Sequence, residues 1–137
     1  MPASRSTKPA LHITIVADNP ETLDGLEAYL RRAGASTNGT RCIEKLADAT
    51  PPSSSVVLLF PDDFKPDSVM SALATLRRRR PGTLPVLVTR EPRRFESLPP
   101  TKGGIVPLVV PKPVWGWTIL DAIRTRLESE PPSERRG

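Results

Sequence analysis

Leu11-His12-Ile13-Thr14-Ile15-Val16-Ala17-Asp18-Asn19-Pro20 is the stretch whose reading decides the fold. Its apolar run is of strand length and ends at an acidic residue. Asn19 is a good N-cap, and Pro20 suits the first helical position because its missing N–H has no partner there anyway. Leu23, Leu26, Leu30 and Ala33 follow at helical spacing, and Gly34 is placed to close the helix in a left-handed cap. The product is a strand, a carboxylate at the strand's C-terminal edge, and a helix folding back on the sheet. In open α/β sheets that edge is where ligands bind.

The same unit repeats along the chain. Ala35–Arg41 is a brief polar strand with Asn38 and Gly39, credible only at a sheet edge, and Cys42–Ala47 makes a short helix. Ser55–Phe60 is a continuous apolar run, as expected of a central parallel strand buried on both faces. After the loop Pro61–Pro66, Asp67 is expected to cap a helix carrying Val69, Leu73 and Leu76, which ends in Arg77–Arg80 where the dipole favours cations. Pro85–Thr89 is another buried strand. Between Arg90 and Gly104, Pro92, Pro99, Pro100 and two glycines leave room for one helical turn at most, at Arg93–Leu98. A fifth strand lies within Ile105–Val110 and is closed by Pro111-Lys112-Pro113. Ile119, Leu120, Ile123 and Leu127 then form the stripe of a last helix starting near Trp115. This alternation implies a parallel sheet with right-handed crossovers and helices on both faces.

Composition narrows the class. The chain has 137 residues, 37% hydrophobic and 26% charged, which suits one folded domain and excludes a disordered chain. The domain is expected over residues 11–128, with residues 1–10 and 129–137 as a disordered lead-in and polar tail. Seventeen prolines, well above the usual share of about 5%, mark joints between short elements. A single cysteine, Cys42, excludes an internal disulfide and suits a reducing compartment. No run approaches the roughly 18 apolar residues of a membrane helix, and the polar start does not read as a secretory signal. A cytoplasmic protein with no membrane contact is expected. The net charge of +5 permits an acidic or nucleic-acid partner. Arg77–Arg80 has no interleaved aromatics for base stacking, so it reads as a solvated helix end and nucleic acid is not the expected partner.

Three strand ends carry polar groups on one edge: Asp18, Thr89 and Lys112. In this the chain resembles the receiver domains of two-component response regulators over residues 11–128. Ile15-Val16-Ala17-Asp18-Asn19-Pro20 is similar to the family's first strand with its acidic pair. Pro85–Thr89 is similar to its fourth strand, which ends in Thr or Ser. Lys112-Pro113 is similar to its fifth-strand lysine. The resemblance implies a flavodoxin-like (βα)5 three-layer sandwich with a five-stranded parallel sheet in the order 2-1-3-4-5. The fourth helix would be shortened or lost. It also implies a strand-edge pocket in which receivers hold Mg²⁺ on paired acids, phosphorylate an aspartate, and clamp the phosphoryl group with the Thr/Ser and Lys.

The pocket residues depart from that pattern. Ala17 replaces one acid of the pair, leaving Asp18 alone. Phe60 stands at the acceptor position when the apolar run is aligned directly. Val109 replaces the aromatic that usually lies three residues before the lysine. A second alignment stays open, because Asp62 lies four residues before Pro66 as a receiver acceptor does. Lys112 is expected to pair with Asp18 or Asp62. The expected function is therefore a stand-alone, phosphorylation-independent, receiver-like signalling domain that binds other proteins and is not an enzyme. The alternatives are a phospho-accepting regulator using Asp62, and a basic nucleic-acid-binding protein. No catalytic residue, cofactor or metal is expected; Mg²⁺, with Asp18 as its ligand, enters only under the phospho-accepting alternative. Trp115 and Trp117, two residues apart on a helix, point about 200° from one another. One is expected to pack and the other to anchor a partner, with Arg93 and Phe95 on the same face; a homodimer stays open.

Overall fold

The computed structural model describes residues 11–52, 54–100 and 104–129. The expected lead-in 1–10 and the tail beyond Ser129 lie outside the described residues. Five strands alternate with four α-helices: β1 (His12–Val16), α1 (Pro20–Arg32), β2 (Ser36–Thr40), α2 (Leu46–Ala49), β3 (Val56–Leu59), α3 (Pro66–Arg79), β4 (Leu84–Thr89), β5 (Leu108–Pro111) and α4 (Gly116–Ser129). All pairings are parallel and the strand order is 2-1-3-4-5. The expected topology is observed. Where receivers carry a fourth helix the described residues of this chain form one 3₁₀ turn, Pro92–Phe95, so α4 is the expected last helix.

Side-chain alternation along the strands makes two apolar layers. Ile13, Ile15, Val56, Leu58, Val86 and Val88 face α1 and α4, meeting Leu23, Leu30, Ile119 and Ile123. Val16, Val57, Leu59 and Leu87 face the other way, onto Val69, Leu73 and Leu76 of α3 and Ile43 and Leu46 near α2. The central strands are buried on both faces, which is why their sequences read as unbroken apolar runs.

Local chemistry sets the joints. Asn19 Oδ1 accepts from the backbone N–H groups of Glu21 (2.8 Å) and Thr22 (3.2 Å), with Pro20 opening the helix. Gly34, at φ 103°, turns the chain after α1 into β2. Asp67 is not the cap of α3: Lys65 holds that position, and Asp67 lies in the first turn, where the dipole still favours its charge. The polar strand β2 sits at the edge as expected, and its composition has a packing reason. Thr14, fully buried in β1, donates to Asn38 Oδ1 (2.9 Å), while Asn38 Nδ2 donates to the Ala49 carbonyl (2.6 Å). A Cβ at Gly39 would lie 2.5 Å from Leu23 Cδ1, so glycine lets α1 close onto the sheet.

Truncating Leu58, fully buried in β3, to alanine is expected to lower unfolding free energy by about 2–5 kcal/mol. Asn19→Ala is expected to cost about 1 kcal/mol through loss of the cap. Chemical denaturation of both variants measures the two values.

Candidate functional site

The strand-edge site is built by how β3 leaves the sheet. Phe60 continues the pairing for one residue, its N–H donating to the Val16 carbonyl (3.1 Å). Strand alternation places its ring with Val56 and Leu58 in the layer under α1 and α4, where it is 6% exposed. Pro61 then opens a 3₁₀ turn, Pro61–Asp63. That turn sends two successive carboxylates in different directions: Asp62 toward β4 and β5, and Asp63 toward β1.

Asp62 is the most heavily engaged polar group at the edge. Its Oδ1 accepts from Thr89 Oγ1 at 2.7 Å, and its Oδ2 accepts from the Arg90 backbone N–H at 2.9 Å. Lys112 Nζ lies 3.6 Å and Arg90 Nε 3.7 Å from the same Oδ2. The side chain is 11% exposed. Burial alone would push its carboxyl pKa up. The Thr89 hydroxyl, the Arg90 N–H and the charges of Lys112 and Arg90 together outweigh that and hold it below the ordinary value near 3.8. The contacts continue outward: Thr89 Oγ1 accepts from the Glu91 N–H (3.0 Å), and Glu91 pairs with Arg94 (2.9 Å). One carboxylate thus ties the turn after β3 to the ends of β4 and β5 and to the start of the next loop.

The other expected pocket residues are placed differently. Ala17 is fully buried in the apolar layer under α1 and α4, and its N–H donates to the Thr40 carbonyl (3.3 Å). Asp18 is exposed and lies 3.7 Å from Arg41, whose Nε also donates to the Asp18 carbonyl (2.6 Å). The Asp18 backbone N–H donates to Asp63 Oδ2 (3.0 Å). Lys112 therefore pairs with Asp62 rather than Asp18. Its ammonium also stands 5.6 Å from the Phe60 ring centroid, within cation–π range.

These carboxylates do not fit a divalent cation. Mg²⁺ asks for near-octahedral oxygen ligands, whereas Asp62 is turned onto hydrogen-bond donors and cations, and Asp18 is turned to Arg41. Among the described residues no group of three or more His, Cys, Asp or Glu side chains is arranged to hold a metal.

The expected partner face needs two corrections. Trp115 (71%) and Trp117 (62%) are both exposed, so neither packs into the core. Ile119, Leu120 and Ile123 already fill the inner face of α4, and the tryptophans fall at its first turn, before that stripe begins. Phe95 is buried among Val16, Leu87 and the α3 residues and is not a surface anchor. It plugs the layer that a missing helix leaves open, with Arg94 5.3 Å over its ring. Arg93 is exposed as expected. The arginine run is only partly solvated: Arg79 pairs with Asp48 (2.9 Å), and Arg80 donates to the Thr50 carbonyl (2.8 Å). No helix among the described residues is long and apolar enough to cross a membrane.

With this geometry in place, the likeness to solved structures is clear. A receiver domain protein from Clostridium thermocellum superposes with a TM-score of 0.69 at 17% identity, covering 86% of this chain and 94% of that one. The fold is that of a receiver domain. A CheY-like receiver domain protein from Methanospirillum hungatei gives a TM-score of 0.60 at 21% identity, over 88% and 95% of the two chains. The receiver domain of the PhyR response regulator from Erythrobacter litoralis gives 0.60 at 20%, over 88% and 92%. No family model and no curated protein matches the chain by sequence.

The spacing of Asp62 to Pro66 was the sequence signal for the carboxylate that occupies the edge. Phe60, which the direct alignment sets at the acceptor position, is the residue that ends the β3 pairing. The twofold role of Thr89, donating to Asp62 and accepting from Glu91, had no sequence signal.

Asp62 has a folded-state pKa below its unfolded value, so its contribution to stability is present above about pH 4. It is lost as pH falls through the folded value. Asp62→Asn is expected to lower neutral-pH stability by about 1–3 kcal/mol and to flatten the loss of stability in acid, as read by denaturation across pH 2–7. Trp115→Ala and Trp117→Ala are each expected to change stability by no more than about 0.5 kcal/mol. Phe95→Ala is expected to cost about 3–5 kcal/mol. Thermal unfolding of the three variants separates surface from core.

Proposed function

We propose that this domain is a two-component-type signalling module that works without accepting a phosphoryl group and acts by contact with a protein partner. The observation that carries the reading is the occupation of Thr89, Lys112 and the Arg90 N–H by the protein's own Asp62. In receivers the corresponding Thr/Ser and Lys clamp the phosphoryl group. Here a carboxylate already supplies the negative charge they face, and it does so in every copy of the protein. The edge is accordingly held in one arrangement with no covalent switch. The residue at the end of the β3 pairing is Phe60, which has no group to phosphorylate, and among the described residues no three His, Cys, Asp or Glu side chains converge to hold a metal, which supports this reading.

The partner surface in this reading is the face around the loop after β4, the end of β5 and the first turn of α4. Trp115 and Trp117 stand exposed there, and tryptophan is enriched among residues that dominate binding energy. Arg93 and Arg94 add cations to the same loop, which favours an acidic partner. Arg79 and Arg80 are committed within the fold, which weighs against a nucleic-acid role for that cluster.

One observation favours a second reading: Asp62 lies beside the two residue types that receivers use to stabilise phosphoryl transfer. The same experiment decides between the two. Incubation with acetyl phosphate and Mg²⁺ is expected to leave the intact mass unchanged. A gain of one phosphoryl group that disappears in Asp62→Asn would establish the phospho-accepting reading instead.

A further inference from the structure

Beside the Asp62 cluster, on the α1–α4 side of the sheet, lies a cleft of about 690 Å³. Small-molecule sites usually measure about 300–1,000 Å³ and sit outside the carboxyl ends of parallel strands. Phe60 forms its floor, and Leu26 and Tyr29 of α1 face Val114 and Ile119 across it. The polar groups are sorted by strand. Arg90 and Lys112, from the ends of β4 and β5, stand on one side; Glu21, in the first turn of α1 after β1, and Asp63, in the turn after β3, stand on the other. Both cations meet Asp62 Oδ2 only at 3.6–3.7 Å, and Arg90's side chain is three-quarters exposed, so their N–H groups retain donor capacity.

Gly25 supplies an independent observation. It sits in the middle of α1 and lines the cleft, yet a Cβ there would meet nothing within 4 Å. A mid-helix glycine is less stable than alanine, and no packing requirement explains this one. Its missing side chain keeps the cleft open between the two helices.

We infer that this cleft binds a planar aromatic acid carrying a hydroxyl or amino group at its far end. The ring lies against Phe60 and Tyr29, the acidic group meets Arg90 and Lys112, and the donor meets Glu21 and Asp63. This deepens the proposed function: the strand-edge site responds to a bound molecule in place of a transferred phosphoryl group. The ligand touches α4 just behind Trp115 and Trp117, so binding is coupled to the partner surface through Val114 and Gly116, which bracket Trp115.

The test uses anilinonaphthalene sulfonate as probe, titrated into the full chain by fluorescence. Saturable one-to-one binding is expected, displaced by hydroxycinnamate and not by inorganic phosphate. Arg90→Ala should weaken it about tenfold, the size of one lost charge-assisted hydrogen bond. Gly25→Ala should raise the melting temperature and keep binding, whereas Gly25→Phe should abolish binding while the protein stays folded by circular dichroism. A folded Gly25→Phe that binds as tightly as the parent overturns the proposal. If that variant does not fold, amide chemical shifts of the parent protein decide: changes centred on Gly25 and Lys112–Gly116 support the cleft, and changes elsewhere overturn it. Failure of the proposed function would instead appear as a phosphoryl mass gain, which these titrations do not read.

Discussion

The carboxylate of Asp62 is the constraint on which the functional edge depends. It is nearly buried, and it is kept charged by a hydroxyl, a backbone N–H and two cations converging on its two oxygens. Removing a charge from water is costly unless hydrogen bonds and opposite charges replace the lost hydration. Here both are supplied, by the ends of two strands, β4 and β5. The consequence is mechanical as well as electrostatic. The turn after β3 cannot shift without breaking contacts at β4 and β5, and Thr89 passes the constraint on to Glu91 and the loop beyond.

Phe60 and Asp62 leave the end of β3 in different directions. Strand alternation commits Phe60 to the apolar layer. The Pro61 turn then delivers a carboxylate to the Thr and Lys from outside the sheet pairing. The ring lines the cleft at the strand edge, and Lys112 serves both sides, facing Asp62 and the Phe60 ring.

The loss of a helix after β4 has its own compensation. A prolonged Pro-rich loop would leave the α3 side of β4 open to water. The turn Pro92–Phe95 closes it with a single buried ring. The restricted backbone of such a loop loses little entropy on docking.

Much of this was determined by the sequence alone. Short unbroken apolar runs, an Asn–Pro helix start and proline punctuation are local signals. They suffice for the parallel sheet, its order by resemblance, and the missing helix. The apolar character of Ala17 and Phe60 at the ends of β1 and β3 was equally legible, because residue type is read directly from the sequence. Only the tertiary structure decided which carboxylate meets Lys112, since that depends on how a three-residue turn aims two adjacent acids. It also decided that Gly39 and Asn38 serve close packing in β2, that Phe95 is core, and that both tryptophans are exposed. Each of these turns on neighbours distant in the chain, and helical angle alone cannot say which face of a helix finds a partner or whether its first turn reaches the sheet at all.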